Sequence, residues 1–142
     1  MTTTTARLEA LADQKTVILT SYRRDGTPVD TPVNFVFEGG RAFIRTYEKA
    51  FKTRRLRRHP EAELWRASNG SAPAIVALAR PKAARRVGEP VHVRATELSG
   101  GDSRRAAAAL ARKYPLLHGL LIPRGHRLGG TRTVNLELTA VR

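Results

Sequence analysis

Between Thr16 and Thr46 three β-rich runs alternate with two turn signals, and no other stretch constrains the fold as strongly. Thr16-Val17-Ile18-Leu19-Thr20-Ser21-Tyr22 is rich in strand formers, Arg24-Asp25-Gly26-Thr27-Pro28 carries turn chemistry, and Val29 to Phe37 returns to strand composition. A second turn at Glu38-Gly39-Gly40 leads into Arg41 to Thr46, which makes the three runs an antiparallel meander. Later strands are expected at Glu63 to Arg66, in the apolar run Ala74 to Leu78, at Val87 to Thr96 and at Thr131 to Val141. In the third of these, Val91, Val93 and Ala95 alternate with His92, Arg94 and Thr96, the period of a strand with one face in the core.

Helices are expected through Leu8, Leu11 and Ala12, over Lys52 to His59 up to Pro60, and over Arg104 to Lys113 behind a cap at Asp102-Ser103. Leu116 to Ile122 reads as an irregular apolar segment cut by Gly119 and followed by Pro123. No repeat, low-complexity block or linker divides the 142 residues. The expectation is a single domain, residues 1–142, mainly antiparallel β with a few short helices: a small closed or split barrel.

Charge narrows the partners. Lys+Arg 26 against Asp+Glu 12 gives +14 at pH 7, so the chain attracts anions: nucleic acid, an anionic membrane surface or a polyanionic small molecule. Most of the cations are arginines, whose planar fork grips a phosphate or carboxylate in two places. The alternative is that the Arg and Ala content reflects a compositional bias of the source genome. Aromatic residues make up 6%, and Phe35, Phe37 and Phe43 read as alternating core and not as a stacking platform, which counts against nucleic acid. The longest apolar stretch, Ala72 to Ala79, is far short of the roughly 18 residues of a spanning helix. The absence of cysteine excludes disulfides, thiolate metal sites and cysteine nucleophiles, and with no signal-like start the expected location is cytoplasmic. Acidic residues are scattered, and His59, His92, His118 and His126 lack metal-ligand spacing, so neither a catalytic side chain nor a metal is assigned.

The segment from Arg45 to Pro60 places the Thr46 hydroxyl at a strand end, Lys49 in a loop, and a basic helix after it. Helix N-terminal N–H groups, Lys52 in the first turn and Thr46 form one possible oxyanion cradle, with Lys52, Arg55 and His59 on one helix side. From spacing alone, an ordinary solvated basic helix is an equal reading.

Asp25-Gly26-Thr27-Pro28, Thr31-Pro32-Val33-Asn34-Phe35, Arg45-Thr46-Tyr47-Glu48, Lys52, Arg55-Leu56-Arg57-Arg58-His59-Pro60, Arg112-Lys113-Tyr114 and Thr133-Val134-Asn135-Leu136 together resemble the pyridoxamine 5'-phosphate oxidase-like split-barrel superfamily. The match is closest to its deazaflavin-dependent oxidoreductases. The resemblance implies a homodimeric split barrel of about six strands with a flavin-type cofactor in the groove between subunits. It implies that the backbone of Pro32, Val33 and Asn34 lies along the ring, that Thr46 and Lys52 hold the phosphate, and that Arg45, Lys49 and Arg55 assist. Asn34 stands where the family often has an aromatic residue, and Phe51 where it has a small one.

FMN brings one phosphate, whereas coenzyme F420 brings a phosphodiester and an oligoglutamate tail, so an arginine-rich rim has a use with F420. The implied activity is hydride transfer between F420 and a small electrophilic substrate, with the ring carrying the reaction. Tyr114 and His118 are candidate substrate-pocket residues; the alternatives are a core tyrosine and a surface histidine. Loops Ser68 to Pro73 and Leu116 to Leu128 are expected to shape that pocket. Other readings remain: an FMN-binding split barrel, a non-catalytic carrier of a cofactor, tetrapyrrole or lipid, and a basic nucleic-acid module.

Overall fold

The computed structural model describes residues 3–71, 85–115 and 132–141. Ala74 to Leu78, Leu116 to Ile122, His118 and His126 lie outside them. The order of elements is α1 (Thr3–Glu9), β1 (Thr16–Tyr22), β2 (Pro28–Glu38), β3 (Arg41–Tyr47), α2 (Phe51–Arg58), β4 (Glu61–Ala67), β5 (Arg86–Glu97), α3 (Gly100–Lys113) and β6 (Thr133–Ala140). The meander runs as expected: β1 pairs antiparallel with β2, and β2 with β3. Glu38 pairs with Arg41 across a two-residue turn, and Gly39 (φ 61°) and Gly40 (φ 78°) both sit in the left-handed region that such a turn demands.

The sheet closes in the order β1-β2-β3-β6-β5-β4, with β4 returning to β1. Its interior is filled by Val17, Leu19, Val33, Phe35, Ile44, Leu64, Val93, Leu136 and Leu138, inward residues of alternating period. Leu8 and Leu11 enter this core from the segment that precedes β1, and Leu56 enters from α2. β1 departs from simple alternation, because Thr16, Ile18 and Thr20 on its other face are also buried. Ile18 is flanked in register by Pro32 on β2 and Trp65 on β4.

α3 packs on the outside of the barrel, where Ala106, Ala109, Leu110 and Tyr114 bury Val36 and Phe43. It begins earlier than the Asp102-Ser103 cap implies. Ser99 holds the extended N-cap position, and Asp102 falls inside the first turn, where a carboxylate favours the positive end of the helix. Ser103 is used differently: its carbonyl and hydroxyl accept from the Asn135 amide at 3.1 and 2.8 Å, which ties α3 to β6.

Gly70 marks the tightest backbone approach. Its carbonyl accepts from the N–H of Lys15 at 2.7 Å and of Thr16 at 3.3 Å. A β-carbon there would stand 1.7 Å from Gln14 Oε1 and 2.8 Å from the Thr16 carbonyl. Gly70→Ala is therefore expected to destabilise the protein by about 1–3 kcal/mol through overpacking, seen as a lower denaturant midpoint with an unchanged slope. An unchanged midpoint would show that this junction relaxes freely.

Candidate functional site

The barrel is closed around its circumference, but β2 and β3 share only a short ladder. Their pairing ends at Phe35 and Ile44. Beyond that point Asn34 to Pro28 stay with β1, while Arg45 to Tyr47 stay with β6, so two strand edges diverge. The residues assigned to the cofactor flank this opening: Pro32, Val33 and Asn34 on the β2 edge, Arg45 and Thr46 on the β3 edge. Lys49, Lys52 and Arg55 follow on the connection and on α2. Val33 turns its side chain into the core, and Asn34 donates to the Lys15 carbonyl at 3.4 Å.

α2 lies across the barrel end and is fastened at three points. Arg55 Nε donates to Ser21 Oγ on β1 at 2.7 Å, Arg57 makes a two-pronged pair with Glu97 on β5, and Thr53 meets Thr46 on β3. Thr53 donates to the Tyr47 carbonyl at 2.6 Å, so the proton in its 2.8 Å contact with Thr46 comes from Thr46. Thr46, 2% exposed, is thus the joint that sets the helix start. Ala50, the N-cap residue, offers no side-chain cap, so the first-turn N–H groups of Phe51 and Lys52 face outward without one.

The cations of the described residues divide into paired groups and, at this end, partly buried unpaired ones. Arg41, Arg57, Arg66, Arg86 and Arg112 each pair with a carboxylate. Lys52 and Arg55 pair with no acidic side chain among the described residues. Burial, and then the positive charge of Arg55, pull the Lys52 ammonium below its ordinary range. Burial, with Arg23 and Arg58 behind it, lowers Arg55 in the same direction. Burial also lowers Arg45, whose Nε donates to Asn135 Oδ1 at 3.1 Å. Half-desolvated cations that repel one another beside uncapped helix N–H groups fit an oxyanion. Lys49 is exposed at the rim.

Tyr114 does not reach this opening. It is 5% exposed in the core beneath α3, and its hydroxyl contacts the backbone of Phe35 and Lys15. Burial raises its phenol above the ordinary range. His59 ends α2, and both His59 and His92 are exposed. Sequence reasoning missed Thr53, Ser21, Arg23 and Arg58 as parts of the site. Thr53 was open to discovery as a hydroxyl in the first helical turn, whereas Ser21 and Arg23 lie some thirty residues before Arg55 and carry no local signal.

No family model matches the chain, and no curated protein matches it. Solved structures do. The chain is similar to HutZ, a heme storage protein of Vibrio cholerae, at 13% identity and a TM-score of 0.67 over 96% of this chain and 89% of that one. It is similar to a provisionally assigned pyridoxamine 5'-phosphate oxidase of Listeria innocua, at 12% identity and a TM-score of 0.59 over 97% and 94%. A heme-binding protein of Mycobacterium smegmatis follows at 17% identity and a TM-score of 0.60, with 98% of this chain covering 51% of that one. The fold is the antiparallel split β-barrel that these proteins share. Within it, this chain places the partly buried cations Arg45, Lys52 and Arg55 around the opening at one end. No helix among the described residues is long and apolar enough to cross a membrane.

Proposed function

We propose that this chain is an oxidoreductase that binds coenzyme F420 at the divergence of β2 and β3 and exchanges a hydride between that cofactor and a small electrophilic substrate. The observation that carries the reading is the acid-free cluster of Lys52 and Arg55 beside the uncapped start of α2. It holds a phosphate, and Arg23 and Arg58, the next cations outward, extend the positive field to further carboxylates. The cofactor supplies the hydride chemistry through its ring. This chain's residues bind and orient. Pro32 and Val33 present a strand edge that β3 has left unpaired, and Asn34 keeps that edge anchored to Lys15. Thr46 and Thr53 fix the helix start from which Lys52 projects. Assembly as a homodimer, which completes the groove over the β2 edge, belongs to the same proposal.

A tetrapyrrole is the second reading, supported by the fold shared with heme proteins; its propionates suit the same cations. Titration with F420, FMN and hemin at about physiological salt distinguishes the readings. F420 is expected to saturate in the micromolar range, with FMN at least about tenfold weaker for lack of the tail carboxylates. Tight hemin binding without F420 binding would replace the oxidoreductase by a heme carrier. Binding of only a single-stranded oligonucleotide, steeply weakened by salt, would replace both.

A further inference from the structure

A second concavity of about 510 Å³ lies beyond the C-terminal end of α2, apart from the phosphate cradle. Its lining carries charges of both signs. The tip of the β1–β2 hairpin contributes Arg23 and Arg24, and the neighbouring start of β4 contributes Glu61 and Glu63. The register that places Thr20 against Glu63 brings these two carboxylates alongside the end of β1. The Tyr22 and His59 rings, which meet edge to face at 5.6 Å, form an aromatic part of the cavity wall. Glu63 has only 18% of its side chain exposed and accepts from the Tyr22 hydroxyl, Glu61 stands 4.0 Å from Arg94 Nη1, and Arg24 has no acidic partner among the described residues. A cavity of this size lined by cations, carboxylates and an aromatic wall matches one small molecule that carries both charges.

We propose that this cleft binds a small zwitterion of the amino-acid class bearing an apolar or aromatic side chain. The carboxylate meets Arg24 and Arg23, the ammonium meets Glu63 and Glu61, and the side chain lies against the Tyr22 and His59 rings. Arg24, Glu61 and Glu63 lie outside the phosphate cradle, whereas Arg23 neighbours both sites, so Arg24 and Glu63 are the positions that separate this proposal from the cofactor reading.

The test uses the whole chain and three probes: L-phenylalanine, 3-phenylpropionate, which lacks the ammonium, and 2-phenylethylamine, which lacks the carboxylate. Binding is followed through the ring signals of Tyr22, His59 and His92 by NMR. Phenylalanine is expected to saturate at about 0.1–1 mM, and each single-charge probe to bind at least about tenfold more weakly. Arg24→Ala and Glu63→Gln are each expected to cost roughly tenfold in phenylalanine affinity, with folding checked by thermal unfolding and F420 affinity measured alongside. Arg24 is the informative position because Arg23 also neighbours Arg55. Equal binding of phenylpropionate would overturn the zwitterion in favour of a simple anion site. Signals that do not saturate below about 10 mM would remove the site altogether.

Discussion

Lys52→Ala combined with Arg55→Ala is expected to weaken F420 binding by about two to four orders of magnitude while leaving the protein folded. Each removed group forfeits a charge-assisted contact to an oxyanion worth about 1.5–3 kcal/mol, and about 1.4 kcal/mol is tenfold in affinity. The stability of the cofactor-free protein is expected to change little, because two effects oppose each other. Both cations are partly desolvated, Arg55 is crowded by Arg23 and Arg58, and Lys52 by Arg55, so the ligand-free protein carries an electrostatic cost at this end. Against the relief of that cost, Arg55→Ala removes the donor to the buried Ser21 hydroxyl, so the double variant should unfold within about 1 kcal/mol of the parent without cofactor and lose the cofactor-dependent rise shown by the parent chain. Fluorescence titration and thermal unfolding, each with and without F420, report the two halves. Unchanged affinity in moderate salt would move the phosphate away from α2, and a large loss of stability would make the cations structural.

The second large effect is expected where the end of α3 meets the start of β1. Lys113 Nζ donates to the carbonyls of Ala12, Gln14 and Phe35 at 3.2, 2.6 and 2.7 Å, matching three protons to three acceptors. Burial draws its ammonium down to about 8, so at neutral pH it remains charged and held by those carbonyl dipoles. Tyr114, the next residue, accepts from the buried N–H of Phe35 at 3.1 Å and lies 2.6 Å from the carbonyls of Lys15 and Phe35. Lys113→Met removes the ammonium donor from the Ala12, Gln14 and Phe35 carbonyls, of which Phe35 keeps the Tyr114 hydroxyl, and Tyr114→Phe leaves the Phe35 N–H without its hydroxyl acceptor. An unsatisfied buried group costs about 1–3 kcal/mol, so the pair is expected to cost about 3–5 kcal/mol, less than a simple sum because both act on Phe35. Against a total of about 5–15 kcal/mol this is severe. Urea unfolding of the single and double variants measures it; a combined loss below about 1 kcal/mol would mean that water replaces the clamp without penalty.

Most of the strand plan was legible in the sequence. β1 was read at its observed bounds, and β2, β3, α2 and β5 within one or two residues, because period, turn glycines and Pro60 act locally. The helix start at Gly100 was not, since Asp102 and Ser103 are strong caps by type but are recruited instead to Arg41 and Asn135. The cradle was legible in part. Thr46, Lys52 and Arg55 lie within ten residues of one another on a strand end and a short helix, so their proximity is local. The role of Thr46 was not, because its hydroxyl proton goes to Thr53 once the helix docks.

The sequence by itself determined a basic antiparallel barrel and the segment where its cations gather, since alternation, turn chemistry and net charge are properties of neighbours along the chain. Only the tertiary structure decided the closing order β1-β2-β3-β6-β5-β4, the parting of β2 from β3 after Phe35, the seating of Arg55 on Ser21 and the burial of Lys113 and Tyr114 against residues about 80 to 100 positions away. Those choices depend on which distant groups share desolvation once the core forms, and that energy has no signature in any local stretch of residues.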